Sequence, residues 1–365
     1  MSKKLKILFV VEQNVASRFY QAYFNQFYGD GEFEFYLLNL VGCPVLEDQL
    51  SIYFKKMYSP QSFVPYRRQV LTIKKIIASV KPDIIHAHET IPAFYASLAN
   101  ILAGKKAKLI YHRHHSFYSN YKKKIMDQVA SNFSDKIICV SDFSKAQAIK
   151  EHPLLKNKFV RVYNGVTLEE VILPSYEKQL IEIIERKPGC KILFLARLKP
   201  RKGHLMAIDI MQELVKNHPD TILYIAGSGE LEQQIREAIK EKNLERHIVL
   251  TGAFEGIKEL LKAMDIVILP SESEAFSLTV LETLSQGKLL IASDLPSIRE
   301  IINNGETGVL INKYDTASWV QKISCCIENT VAAEKIAANG KHLFENNFTM
   351  IRMVECMKNL YLQKL

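Results

Sequence analysis

The chain has 365 residues, 48 Lys+Arg against 39 Asp+Glu and 48% hydrophobic residues, which suits two globular domains with real cores. Its 15 Gly and 12 Pro exclude collagen-like and low-complexity classes, and no run of 18 apolar residues offers a transmembrane helix. Six scattered Cys without a Cys-x-x-Cys spacing point to buried thiols in a reducing cytoplasm.

Charge is uneven along the chain. Residues 1–167 hold 24 Lys+Arg and 12 Asp+Glu, whereas residues 168–365 hold 24 and 27. The net +9 therefore comes wholly from the first half, which suggests an anionic partner there.

The first apolar run stops at Glu12 without a small-residue cleavage site and reads as a strand, not a signal peptide. Strands are predicted at Lys6–Val11, Glu34–Leu38, Asp83–Ala87, Lys108–His112, Lys136–Ser141 and Phe159–Tyr163, with helices such as Tyr66–Val80 and Tyr118–Phe133 between them. Asn164-Gly165 is a turn signal, and the stretch from Thr167 to Gly189 is polar and weakly patterned, so a domain boundary is placed there. The alternation resumes with strands at Lys191–Ala196, Thr221–Ala226, His247–Thr251, Ile266–Leu269, Lys288–Ser293 and Gly308–Ile311. Helices are predicted at His204–Lys216, Leu231–Lys242, Ile257–Ala263, Leu278–Gln286, Ser297–Asn303, Ala317–Glu328 and Ile351–Leu362. Each half thus reads as a doubly wound parallel sheet, an α/β fold with Rossmann-like domains.

Three patterns fall at the carboxyl edge of the second sheet. Arg197 and Lys202 follow one strand within a single loop, a planar fork and a compact charge that suit a diphosphate or else form a generic basic loop. Gly227 and Gly229 follow the next strand, as a tight turn or as a loop that lets a nucleotide approach; Glu232 stands where a dinucleotide fingerprint wants a third glycine. Glu274 precedes a helix start near Ser277, and Glu282 lies on its first turns. Helix-terminal amides favour anions, and carboxylates beside them suit sugar hydroxyls. The competing reading makes Thr279-x-x-Glu282 a capping box and Glu274 a solvated charge.

With Asp83-Ile84-Ile85-His86-Ala87-His88, Tyr111-His112-Arg113-His114, Val162-Tyr163-Asn164-Gly165-Val166 and Pro270-Ser271 added, this ordered set resembles the family 4 retaining glycosyltransferases of the GT-B fold over nearly the whole length. The resemblance implies two Rossmann-like domains facing a central cleft: residues 1–166, joined by a returning helix at about 348–365, for the acceptor, and residues 167–347 for the nucleotide-sugar donor. It implies that Arg197 and Lys202 hold the diphosphate and Glu282 the ribose. Glu274 would meet the transferred sugar, and amides of Phe276, Ser277 and Leu278 the phosphates or sugar. Gly227 and Gly229 would lie near the nucleoside, with His114 and neighbouring His88 towards the sugar. The donor would be a UDP- or GDP-sugar, no metal or bound cofactor is implied, and the acceptor would be a glycan or a lipid-linked intermediate. Departures from the family pattern are a glycine-free loop after the first strand, Ala275 and Ser277 at common glycines, Lys288-Leu289 after Gly287 and Thr167 for a common Asp.

His86, His88, His112, His114 and His115 crowd two strand ends, but the His-x-His spacing alone is a weak metal pattern. Aromatics interleave with the basic runs at Tyr53–Tyr58, Tyr66–Arg68 and Phe117–Met126, either as a solvated face or as a peripheral contact with an anionic membrane at its cytoplasmic face. Nucleic acid is not expected, since no binding module accompanies the charge. The rival functions are a nucleotide-sugar epimerase or glycosyl phosphorylase on the same scaffold, or a silent binding protein that keeps the fold.

Overall fold

The computed structural model describes residues 4–12, 17–41, 51–58, 66–115, 120–167 and 172–363. The core of the glycine-free loop (residues 13–16), Cys43 and the Phe117-Tyr118 pair lie outside the described residues. The chain divides into two compact units, Met1–Gly165 with Met350–Leu365, and Val166–Thr349.

The first unit carries β1 (Leu5–Val11), β2 (Phe33–Asn39), β3 (Lys56–Tyr58), β4 (Ile84–His88), β5 (Lys108–Arg113), β6 (Lys136–Cys139) and β7 (Phe159–Arg161) in the order β3-β2-β1-β4-β5-β6-β7, every pairing parallel. Strand β1 shows why the sheet is sandwiched. Ile7, Phe9 and Val11 join one core and Leu8 and Val10 the other, all buried. The first core is aromatic. Phe9 meets Phe24 edge to face at 4.8 Å, and the C-terminal helix Met350–Leu362 adds Met353, Met357 and Tyr361.

The second unit carries β8 (Lys191–Leu195), β9 (Ile222–Ala226), β10 (Ile248–Gly252), β11 (Ile266–Leu269), β12 (Leu289–Ser293) and β13 (Val309–Ile311) in the parallel order β10-β9-β8-β11-β12-β13. In both sheets the winding direction reverses once, between β1 and β4 and between β8 and β11. Ligands of such sheets bind outside the carboxyl ends of the strands at that reversal.

The structure corrects several element boundaries. The short edge strand β3 was not anticipated, and neither were the helices Ser175–Arg186 and Thr330–Asn347; Thr90–Leu102 and Asp142–Glu151 give bounds to helices expected between the first-half strands. Ser141 does not end a strand; it caps Asp142–Glu151 in a reciprocal box with Ser144. The supposed linker holds Ser175–Arg186 because Ile181, Ile184 and Glu177 share its buried face, and the Glu177 carboxylate accepts from the amides of Glu255 (2.7 Å) and Gly256 (2.9 Å). The helix expected over Ser297–Asn303 is a single turn, Pro296–Arg299.

Candidate functional site

Arg197 and Lys202 leave the end of β8, and Glu274 leaves the end of β11, so the reversal of the second sheet brings the two loops side by side. Lys202 Nζ donates to Glu274 Oε1 at 2.8 Å, and Ser271 Oγ donates to the same oxygen at 2.8 Å. The Glu274 side chain is only 8% exposed and that of Lys202 25%, so the pair is partly desolvated while the ammonium still reaches solvent. Arg197 is exposed and forms no ion pair among the described residues. The edge therefore presents one unpaired guanidinium and one ammonium shared with a carboxylate.

Backbone packing fixes both loops. A side chain at Gly203 would place its Cβ 2.0 Å from Pro270 O, at a φ of +86°. Glu272 N donates to Arg201 O at 2.8 Å, so the two loops are laced by their main chains as well. Gly227 and Gly229 press in the same way on Ala196 O and Leu198 O, where a Cβ would lie 1.9 and 2.4 Å away. Leu198 N donates to Ser228 O and Leu231 N to Leu198 O, so the glycine loop clasps the residues on either side of Arg197. These glycines permit a close approach of backbone to backbone here.

The helix Leu278–Ser285 starts at Ser277, whose hydroxyl makes no capping bond. Thr279 is not a cap: it lies inside the helix, and its hydroxyl donates to Leu195 O at the end of β8 (3.0 Å). The capping-box reading of Thr279 and Glu282 is thereby corrected. Glu282 is half-buried one turn in, and Phe276 and Ser277 are buried ahead of the helix. Ser271 and Ser297, which donates to Glu274 O at 2.8 Å, were missed in the sequence. Ser271 stood within the motif, but Ser297 comes from a distant turn and left no sequence signal.

The first unit has its own reversal edge. His88 ends β4, and His112 pairs with it across β5; His114 follows β5. His88 Nδ1 lies 3.2 Å from His114 Nε2, and His86 Nδ1 2.6 Å from Tyr361 Oη. Burial, ahead of repulsion by neighbouring imidazoles, holds His86, His88 and His112 well below the ordinary histidine range. Burial also lowers His114, against the pull of the Glu89 carboxylate. One ring nitrogen each of His86, His88 and His112 lies within 4.8 Å of the others. The rings of His86 and His112 are nearly parallel, however, with only 8° between them, while that of His88 tilts by 35° and 40° to the two. Imidazole lone pairs lie in the ring plane, so those of His86 and His112 run side by side and do not converge on one ion.

These neutral histidines carry a pH prediction. His204, next to Lys202, is pushed down to about 4, first by burial and then by the Lys202 charge. The unfolded chain takes up protons below about pH 6.5 that the folded chain refuses until about pH 4, so stability is full above that window and falls as pH drops through it. Thermal melts should lose midpoint steadily from pH 6.5 to 4; a flat profile would contradict the buried, neutral assignment.

Two doubly wound parallel sheets in one chain are the architecture of the GT-B class, and solved structures of that class share it. Anabaena Alr3699/HepE solved with UDP-glucose superposes with a TM-score of 0.84 at 19% identity, covering 98% of this chain and 99% of that one. A glycosyltransferase of Rickettsia africae does so at 0.83 and 23% identity over the full length of both. Residues 177–343 match the glycosyl transferases group 1 and residues 37–170 match Glycosyltransferase Family 4. The chain belongs to the family 4 glycosyltransferases. Among curated relatives it is 26% identical over 317 residues to the UDP-Gal:alpha-D-GlcNAc-diphosphoundecaprenol alpha-1,3-galactosyltransferase of Escherichia coli, spanning 82% of this chain and 80% of that one. It is 25% identical over 284 residues to the phosphatidyl-myo-inositol mannosyltransferase of Mycobacterium tuberculosis, spanning 73% and 70%.

Proposed function

We propose that this glycosyltransferase is retaining and metal-independent, and moves a sugar from a UDP- or GDP-sugar to a glycan or lipid-linked acceptor in cell-surface polysaccharide or glycolipid synthesis. The observation that carries the reading is the Lys202–Glu274 pair beside unpaired Arg197 at the sheet reversal. Arg197 and Lys202 grip the donor diphosphate and neutralise the charge that grows on it as the glycosidic bond breaks. Glu274 orients Lys202 and accepts from hydroxyls of the transferred sugar; Glu282 accepts from the ribose. Amides of Phe276, Ser277 and Leu278 meet the phosphates or sugar. Positive charge comes from these side chains and the helix terminus, the work a metal ion does in other transferases. In front-face retention the acceptor hydroxyl attacks from the side of the leaving phosphate and passes its proton to it, so no protein nucleophile is required.

In this reading residues 167–347 bind the donor, with Gly227 and Gly229 near the nucleoside. Residues 1–166 with the helix at 348–365 bind the acceptor, and His114 faces the transferred sugar. The names of the Escherichia coli and Mycobacterium relatives, which act on a diphosphoundecaprenol and a phosphatidyl-inositol, support a lipid-linked acceptor. Tyr121, 75% exposed, and Ile125 flank the exposed run Lys122-Lys123-Lys124, a surface suited to an anionic leaflet. No helix among the described residues is long and apolar enough to cross a membrane. In this reading the contact is peripheral, at the cytoplasmic face.

Calorimetry with UDP and GDP tests the ribose assignment. Glu282→Ala should weaken nucleotide binding by about 1–3 kcal/mol through loss of charged hydrogen bonds. Affinity equal to wild type would remove Glu282 from the site. A thermal-shift screen of nucleotide diphosphates and their sugars identifies the donor, since only a native-state ligand raises the midpoint.

A further inference from the structure

The histidine pair at the first sheet's reversal fixes a protonation pattern that the donor chemistry can use. His88 is 3% exposed, stacks against Phe9 at 5.4 Å, and touches His114 through one hydrogen bond, Nδ1 to Nε2 at 3.2 Å. Both rings are neutral, because burial depresses both. Two arrangements satisfy the bond. In one, His88 Nδ1–H donates to the His114 Nε2 lone pair. In the other, His114 Nε2–H donates, and His88 carries its remaining proton on Nε2.

The other nitrogen of His88 decides between them. Among the described residues, the buried His88 Nε2 has no hydrogen-bond partner. A proton there would be an orphaned buried donor, which is rarer and costlier than an under-used acceptor. The same reasoning applies to His86, whose buried Nε2 also lacks a partner among the described residues while its Nδ1 bonds Tyr361 Oη. The proton of His88 therefore sits on Nδ1, His114 Nε2 is the acceptor, and the His114 proton is left on Nδ1. Among the described residues no partner holds that Nδ1.

We infer that His88 is a positioning residue that locks His114 as its Nδ1–H tautomer, so that His114 meets the transferred sugar as a hydrogen-bond donor to an oxygen. This rests on the reading above that His114 faces the sugar. A donor selects for lone pairs, such as those of a hydroxyl oxygen or of the ring oxygen of the sugar. It leaves His114 unable to act as a base through that nitrogen.

Histidine-labelled protein examined by two-bond ¹H–¹⁵N NMR at neutral pH reads the tautomers directly, with His114 assigned from its loss in His114→Gln. The expected spectrum shows His114 and His88 protonated on Nδ1 and bare on Nε2. A His114 Nε2–H tautomer overturns the inference. His88→Asn places an amide near Nδ1 and should keep the His114 tautomer, whereas His88→Gln mimics Nε2 and should release it. With the cognate donor, kcat should fall about tenfold in His88→Gln and stay near wild type in His88→Asn, with donor KM unchanged. Equal rates in the two variants overturn the positioning role. The NMR result stands whether or not the protein transfers sugar, so a failure of the transferase reading shows in the kinetics alone.

Discussion

Lys202→Ala is expected to lower turnover by about 10²–10³-fold, and Arg197→Ala by a similar factor, with the fold intact. The size follows from where the charges act. As the nucleotide leaves, negative charge builds on the diphosphate, and a cation already oriented there stabilises it without reorganisation. Glu274 and Ser271 supply that orientation, holding Lys202 through contacts of 2.8 Å each. Removing Lys202 also leaves the Glu274 carboxylate, 8% exposed, with Ser271 as its one remaining side-chain donor among the contacts described, next to the incoming phosphates. Lys202→Arg should recover little, since the longer planar fork cannot occupy the compact ammonium position. Initial rates at saturating donor measure the effect. Near-wild-type kcat in both alanine variants would remove the diphosphate assignment.

The second large effect is on stability. Gly203→Ala should destabilise the second unit by at least about 3 kcal/mol, from left-handed strain and overlap together. The overlap is with backbone: the added Cβ would fall 2.0 Å from Pro270 O, where no side chain can swing aside. Pro270 begins the loop that carries Glu274, so any relief by displacement also pulls Lys202 from its carboxylate. Trp319 is the chain's single tryptophan, fully buried in the second unit, with Nε1 donating to Asn312 O at 3.2 Å. Its fluorescence during urea unfolding therefore reports this unit alone. A midpoint equal to wild type would show that the loop contact does not hold the site together.

Much of this architecture was legible in the sequence, for a physical reason. Strands of a parallel sheet covered on both faces read as continuous apolar runs, and β11, Ile266–Leu269, was found to the residue. Strand β3 was not legible, because a three-residue edge strand spelled Lys-Met-Tyr buries too little to leave a pattern. The bounds of helix Thr90–Leu102 were hidden for the opposite reason: it is buried around most of its girth, so no polar face marks its period. Ser175–Arg186 was lost because a charged residue, Glu177, belongs to its buried face.

At the site, residue types and loops were legible but partnerships were not. Lys202 and Glu274 are 72 positions apart, and only the reversal of the sheet brings them within 2.8 Å. Spacing suggested a capping box for Thr279 and Glu282, whereas the threonine is spent on the last carbonyl of β8. Glycines 227 and 229 were read as a turn or a nucleotide approach; the structure adds their contact with the Arg197 loop.

The central claim is that Arg197 and Lys202 form a diphosphate grip at the second sheet's reversal. A crystal structure with the UDP- or GDP-sugar that most raises the melting midpoint tests it most directly. The account predicts phosphate oxygens within hydrogen-bond distance of Lys202 Nζ and the Arg197 guanidinium, with the ribose on Glu282. A diphosphate bound at any other edge of the sheet, with those two cations facing solvent, would contradict it.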